Sequence, residues 1–162
     1  MSKTVVVTGA NAGIGFQAAL NLSRMGWHVV MACRSMDKAQ RAQGEILVEV
    51  PQASTAIIAL DVSEPQSIRE FGRRFSQQTG ELDLLINNAG IVGTPLARNS
   101  VGHEMQLATN YLGAFALTGT LLPFFSRTSR ARIVNVGSLM HRFGKLDLDD
   151  LDWEKTPYNE WQ

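Results

Sequence analysis

The first fifteen residues constrain the fold more than any other part of the chain. Val5-Val6-Val7-Thr8 is a short β-branched run, and Thr8-Gly9-Ala10-Asn11-Ala12-Gly13-Ile14-Gly15 carries it into a helical pattern. β-branched runs of this length favour a buried strand. From Gly13 the period changes: Ile14, Ala18, Leu22 and Met25 are expected to share one helix face, which Gly26 ends. A strand that passes through a glycine turn straight into a helix presents unpaired amides at the helix N-terminus, where the helix dipole also favours an anion. Gly9 permits the tight turn, Gly13 lets a pyrophosphate approach the backbone, and Gly15 lets helix and strand pack closely. A dinucleotide site is the expectation, with Asn11 and Ile14 on the same loop.

The rest of the chain repeats the strand–helix alternation. Strands are expected at His28–Cys33, Ala56–Leu60, Leu82–Asn87 and Ile133–Val136. Ser35 can cap a helix whose apolar face holds Ala39, Ala42, Ile46 and Val50, with Pro51 just beyond it. Ser63-Glu64-Pro65-Gln66 has capping-box spacing, and Ile68, Phe71 and Phe75 follow as a stripe that Gly80 closes. One long helix is expected from about Val101 to Phe125, with Gly113 and Gly119 marking close packing or a local distortion. Such alternation predicts an α/β fold: a Rossmann-type, doubly wound parallel sheet with five strands. Residues 1–162 read as a single dinucleotide-binding domain, with an irregular acidic segment at 145–162.

Composition narrows the partners. Fifteen basic and fifteen acidic residues give a formal charge of zero, which offers no support for nucleic acid or an anionic membrane surface. Cys33 is the only cysteine, so no internal disulfide can form, and a cytoplasmic location is expected. No apolar run approaches the roughly 20 residues of a membrane span, and no signal-peptide pattern precedes Val5. Leu146-Asp147-Leu148-Asp149-Asp150-Leu151-Asp152 is rich in carboxylates but lacks the glycine and terminal acid of a calcium loop. It is read as solvated loop, with no metal site. His28, His103 and His141 lack ligand spacing and read as surface or packing residues, and Arg73, Arg74, Arg127, Arg130 and Arg132 as solvated charge.

The end of the second strand bears on the choice of dinucleotide. An acid there would bind a ribose 2′-hydroxyl, whereas a basic residue would accept a 2′-phosphate. The sequence is Cys33-Arg34-Ser35, and Asp37 lies late enough to serve as a first-turn helix acid instead. Arg34 offers a planar pair of donors and Ser35 another, so NADP(H) is favoured over NAD.

These motifs, in this order, resemble those of the short-chain dehydrogenase/reductase family over nearly the whole length. Thr8-Gly9-x-x-x-Gly13-Ile14-Gly15 is similar to its glycine motif and Asn87-Asn88-Ala89-Gly90 to its second motif, with Asp61-Val62 following the third strand. The resemblance implies that Asp61 and Val62 lie beside the adenine, that Asn88, Ala89 and Gly90 line the cofactor cleft, and that Asn87 steadies the sheet. Asn110, opening Asn110-Tyr111-Leu112-Gly113, resembles the family's active-site asparagine, whose backbone carbonyl would hold a water of a proton relay. Ser138, ending Val134-Asn135-Val136-Gly137-Ser138, would hydrogen-bond the substrate carbonyl. Ala32-Cys33-Arg34, Asn110 to Phe115, Leu151-Asp152-Trp153-Glu154 and Tyr158 to Gln162 resemble the branch of retinol dehydrogenases, WW-domain oxidoreductases and protochlorophyllide-reductase-like proteins.

That resemblance implies an NADP-dependent oxidoreductase interconverting a carbonyl and an alcohol on an apolar small molecule, as a homo-oligomer when complete. The family's proton donor is a Tyr followed four residues later by Lys, and this pair is absent from the 162 residues. Tyr158 has Gln162 at that offset and reads as a loop aromatic. The chain is therefore expected to be a fragment lacking the catalytic pair, with the fifth strand left as an apolar edge prone to pairing. The alternative is a non-catalytic nucleotide-binding fragment or pseudoenzyme.

Overall fold

A computed structural model describes residues 2–125, 130–142, 144 and 146–161. Arg127 and Gln162, named above, and Lys145, the first residue of the acidic segment, lie outside the described residues. Five parallel strands form one sheet in the order β3-β2-β1-β4-β5. They are β1 (Thr4–Thr8), β2 (His28–Cys33), β3 (Ser54–Ala59), β4 (Leu84–Asn87) and β5 (Arg132–Asn135). The helices α1 (Gly13–Arg24), α2 (Met36–Glu49) and α3 (Pro65–Gln78) follow the first three strands. Val6 faces a core with Ile68, Phe71, Phe75, Leu117 and Leu121, while Val5 and Val7 face one with Ala19, Leu20, Ala39 and Ile46. Adjacent residues of β1 thus serve opposite faces, as a strand clad by helices on both sides requires.

The doubly wound α/β fold is as the alternation predicts, and four local expectations need correction. On α1 the buried residues are Gly15, Ala19, Leu20 and Ser23, while Ile14 is 70% exposed and Met25 69% exposed. The glycine turn rotates the helix so that Gly15, not Ile14, meets the strand. Ser63 does not cap α3: Glu64 is the N-cap residue without a side-chain cap bond, Pro65 begins the helix, and the Ser63 hydroxyl donates to Asp61 Oδ1 at 2.6 Å. Pro65 has no N–H to be capped.

The long helix is the third correction. It starts at Met105 and has three parts: α4 (Met105–Leu107), a wide π-type turn (Ala108–Leu112) and α5 (Gly113–Leu121). The Gly113 N–H donates five residues back, to Ala108. A Cβ on Gly113 would collide with the Val62 carbonyl oxygen, so the distortion expected at this glycine is a close approach to the loop after β3. Fourth, the acidic segment is solvated only in part: residues 146–149 and 151 are exposed, but the Asp150 and Asp152 carboxylates are engaged by the chain. Asp150 is buried and accepts from the amides of Glu154, Lys155 and Thr156 and from the Thr156 hydroxyl.

Candidate functional site

Strand order reverses between β1 and β4, and their C-terminal ends open a cleft of about 390 Å³. Such a switch point is where open α/β sheets bind ligands. Gly9, Asn11 and Gly13 line one wall, with Asn88, Ala89 and Gly90 across from them. Arg34, Ser35, Asp61 and Val62 line it as well. Ile14 does not: it is exposed on α1 beyond the cleft lining. Gly15 lies behind the turn, where a Cβ would strike Gly9 oxygen and Asn88 Nδ2. Its part is the close packing expected of the third glycine.

Physical features of the turn suit an anion. Gly9 and Gly13 hold φ of +65° and +56°, which side-chain-bearing residues rarely adopt. A Cβ on Gly13 would meet no protein atom within 4 Å and would project into open space. The N-cap of α1 is Ala12, with no side-chain cap bond, so the first-turn amides keep their donor capacity. In contrast, Ser35 caps α2 through the Lys38 amide at 3.5 Å.

Opposite the turn, Asn88 is held by β1. Its amide donates to Thr8 Oγ1 at 2.9 Å and its side-chain Nδ2 to the Thr8 carbonyl at 2.9 Å. The Ala89 amide also donates to Thr8 Oγ1, at 2.9 Å. Asn87 Nδ2 donates to Thr118 Oγ1 at 3.1 Å and to Asn135 Oδ1 at 2.8 Å, tying β4 to α5 and β5.

At the mouth, Arg34 Nη1 stands 3.8 Å from Asp61 Oδ2, with its side chain 75% exposed. Asp61 Oδ1 is occupied by the Ser63 amide and hydroxyl. Lys38 lines the same cleft and was not singled out from sequence. The signal was there: it stands three positions after the Ser35 cap, hence on the same side of the first helical turn. Burial in the core pushes the Cys33 thiol up, partly opposed by the amides of Ala10 and Asn11, so it stays neutral.

Asn110 lies in the wide turn. Its Oδ1 accepts from the Ile91 amide and its Nδ2 donates to the Ile91 carbonyl, both at 2.8 Å. A Cβ on Gly90 would be 3.2 Å from that Oδ1. Thr109 lines the switch-point cleft, whereas Asn110 and Tyr111 line a neighbouring hollow of about 500 Å³ with Leu107, Leu151 and Trp153. Ser138 follows β5, beyond Val136, whose amide donates to the Asn87 carbonyl at 2.9 Å. The Ser138 carbonyl accepts from His141, at 3.3 Å from its amide and 2.5 Å from its Nδ1. Ser138 is outside the lining of both hollows.

Tyr158 is committed elsewhere. Its hydroxyl lies 3.0 Å from the Thr94 carbonyl and 3.1 Å from Glu104 Oε1, and it accepts from Gln106 Nε2 at 2.8 Å. Burial, with Glu104 beside it, pushes its pKa up, the opposite of what a proton donor activated by lysine needs. His103 is not merely surface: its Nδ1 is 3.1 Å from Asp152 Oδ2. Among the described residues no group of three or more His, Cys, Asp or Glu is placed to hold a metal ion.

The family model described as short chain dehydrogenase matches residues 3–146. The chain belongs to the short-chain dehydrogenase family. Over 157 residues it is 42% identical to retinol dehydrogenase 13 of Homo sapiens, covering 97% of this chain and 47% of that protein. Over 153 residues it is 40% identical to retinol dehydrogenase 12 of Bos taurus, covering 94% and 48%. It spans about half the length of these curated relatives. Among solved structures, an uncharacterized protein from Mycobacterium Paratuberculosis superposes with a TM-score of 0.84 at 38% identity, covering 98% of this chain and 55% of that one. A metagenomic short-chain oxidoreductase in complex with NADP gives a TM-score of 0.73 at 29% identity, covering 85% and 62%. This chain is thus an oxidoreductase-family member related to retinol dehydrogenases.

Proposed function

We propose that these 162 residues form the NADP(H)-binding part of an oxidoreductase that interconverts a carbonyl and an alcohol on an apolar small molecule. The observation that carries this reading is the cleft at the β1/β4 switch point, with uncapped α1 amides at one end and Arg34, Ser35 and Lys38 at the other. In this reading the amides after Gly13 hold the pyrophosphate. Arg34, with Ser35 and Lys38, takes the 2′-phosphate, as charge-assisted bonds at an exposed rim allow. Asp61 and Val62 flank the adenine; Asn88, Ala89 and Gly90 form the opposite wall.

The bound dinucleotide supplies hydride chemistry. Ser138 donates to the substrate carbonyl oxygen, and the Asn110 carbonyl, in the wide turn, holds a water of the proton relay. Wide turns of this kind are frequent at functional sites. The proton donor expected of the family, Tyr-x-x-x-Lys, is not among these residues. The reading for this chain by itself is therefore cofactor binding without turnover. A second reading, a nucleotide-binding module with no catalytic role, draws on the engagement of Tyr158 by Thr94, Glu104 and Gln106.

An apolar alcohol such as the retinol of the relatives' names fits the proposal for the substrate. A cytoplasmic location is proposed from the single, buried cysteine. No helix among the described residues is long and apolar enough to cross a membrane. Homo-oligomerisation is proposed from the exposed face of α5, where Phe115 is 74% exposed.

Titration of the purified chain with NADPH and NADH, followed by cofactor fluorescence, tests the proposal. Binding of NADPH in preference to NADH is expected, with no oxidation of NADPH by added aldehyde. Equal affinity for both would remove the role given to Arg34, and binding of neither would remove the reading altogether.

A further inference from the structure

Glu104 is only 3% exposed, yet it belongs to none of the motifs at the cofactor cleft. It is the N-cap residue of α4: Oε1 accepts from the Gln106 amide at 2.8 Å and Oε2 from the Leu107 amide at 2.7 Å. A carboxylate there satisfies two orphan amides and complements the positive end of the helix. What sets this cap apart is what else it holds. Tyr158 Oη is 3.1 Å from Glu104 Oε1, and the Glu104 amide donates to Asp152 Oδ1 at 2.8 Å. Gln106 Nε2 reaches the Glu160 carbonyl at 3.0 Å. Segment 150–161 is thereby fastened to the start of the helix through both the carboxylate and the amide of one residue.

The helix carries this fastening to the cleft. Six residues after Glu104 comes Asn110, which grips Ile91 by both amide and carbonyl. Ile91, Gly90 and Thr109 are cleft wall. Segment 150–161 also touches the Ile91 loop directly: Tyr158 Oη lies 3.0 Å from the Thr94 carbonyl, and Trp161 covers Gly93 so closely that a Cβ would stand 2.9 Å from the indole. Helix start, segment and cleft loop form a closed triangle with Glu104 at its buried corner.

We infer that Glu104 is a positioning residue: its carboxylate joins segment 150–161 to the helix that aims Asn110, and so sets the Ile91 wall of the cofactor cleft. The inference rests on the cofactor reading only for its consequence on NADPH; the link from Glu104 to Ile91 stands apart from it.

The test compares the whole chain with E104Q and Y158F. E104Q keeps the shape but leaves an NH2 facing one of the donors now bound. Y158F keeps the two amide bonds of the cap and removes the hydroxyl that meets Glu104, Gln106 and Thr94. The Ile91 amide is a direct reporter, because its hydrogen-bond acceptor is Asn110 Oδ1. Its exchange, read by NMR without cofactor, is expected to rise about tenfold in E104Q and by a smaller factor in Y158F. Amides of α1 should keep their rates in both. NADPH affinity is expected to fall several-fold in the same order. An even rise in exchange across the sheet and α1 would show a merely structural carboxylate and overturn the inference, as would an unchanged Ile91 rate in both variants. If E104Q does not fold, Y158F alone decides by the same reading. If the wild-type chain binds no NADPH, the cofactor proposal fails while the Ile91 rates still judge Glu104.

Discussion

Asn88 donates to Thr8, 80 residues earlier, from both its main chain and its side chain. The Asn88 amide donates to the Thr8 hydroxyl oxygen and the Asn88 side chain to the Thr8 carbonyl, each at 2.9 Å. The Thr8 hydroxyl in turn reaches the Ile86 carbonyl at 3.3 Å. Two amides, those of Asn88 and Ala89, depend on this one buried oxygen. Val in place of Thr8 matches its shape and removes the acceptor. T8V is expected to destabilise the chain by about 2–4 kcal/mol, since each unpaired buried amide costs roughly 1–3 kcal/mol. Urea denaturation at neutral pH measures it. A T8V midpoint equal to wild type would show that the two amides find other partners.

Charge at the cleft mouth gives a prediction about selectivity. Arg34 is well exposed and its nearest acid, Asp61, is 3.8 Å away, so the guanidinium is available to an added phosphate. R34A is expected to weaken NADPH binding about tenfold, corresponding to one lost charge-assisted bond, and to leave NADH nearly unchanged. K38A should act in the same direction with a smaller factor, because an ammonium lacks the planar fork. Isothermal titration with the two cofactors checks both. A parallel loss of NADH affinity would mean that the residues hold the loop rather than the phosphate.

The parts legible in the sequence were those governed by periodicity and by glycine. The burial of Val5, Val6 and Val7, the Ala39–Ala42–Ile46 face and the Ile68–Phe71–Phe75 stripe follow from spacing alone. The family motifs located the cleft lining from Gly9 to Gly90. What stayed hidden depended on distant partners. Ile14 reads as helix core until the close contact of Gly15 with Gly9 and Asn88 fixes the rotation of α1. The acidic segment reads as solvated until Asp150 is seen folded around the amides of residues 154–156 and Asp152 reaches the Glu104 amide, 48 residues back. Glu104 itself has no periodic signature; a lone acid before a helix looks the same whether its cap is wet or buried.

Acid should release segment 150–161. Burial alone would raise the Asp152 carboxyl, but the Glu104 amide, the His103 ring and the charges of His103 and Arg98 hold it below its ordinary 3.8. A carboxylate whose folded pKa is depressed contributes stability above its unfolded pKa and loses it as pH falls through the folded value. Asp150 is also held low, its burial outweighed by the Thr156 hydroxyl and the amides of 154, 155 and 156. The segment should stay docked from pH 7 to about 5 and detach below about 4. Trp153 packs edge-on against Tyr158, at 5.3 Å between ring centroids, and Trp161 sits on Gly93, so tryptophan fluorescence reports the release. D152N should shift the titration, because it removes one of the two groups. An acid transition identical in D152N would assign it to other carboxylates.

The outer strand sets the last expectation. β5 pairs with β4 on one side, and all four of its residues are exposed; Ile133 and Val134 are 40% and 44% exposed. Its neighbour in sequence, Val136, is 44% exposed as well. An apolar strand with an open ladder is a template for pairing with another chain. Phe115 on α5 and Tyr111 in the wide turn before it offer a second apolar surface. The purified chain is therefore expected to run in light scattering as species larger than its 17.8 kDa monomer, increasingly so with concentration. A lysine on the edge should oppose strand pairing by charge and desolvation without touching either core, so V134K should return much of the population to monomer. F115S should do so only if the helix face, rather than the strand, is the contact. A monodisperse wild-type monomer at high concentration would show that neither surface associates, and the edge would then need protection from within the chain.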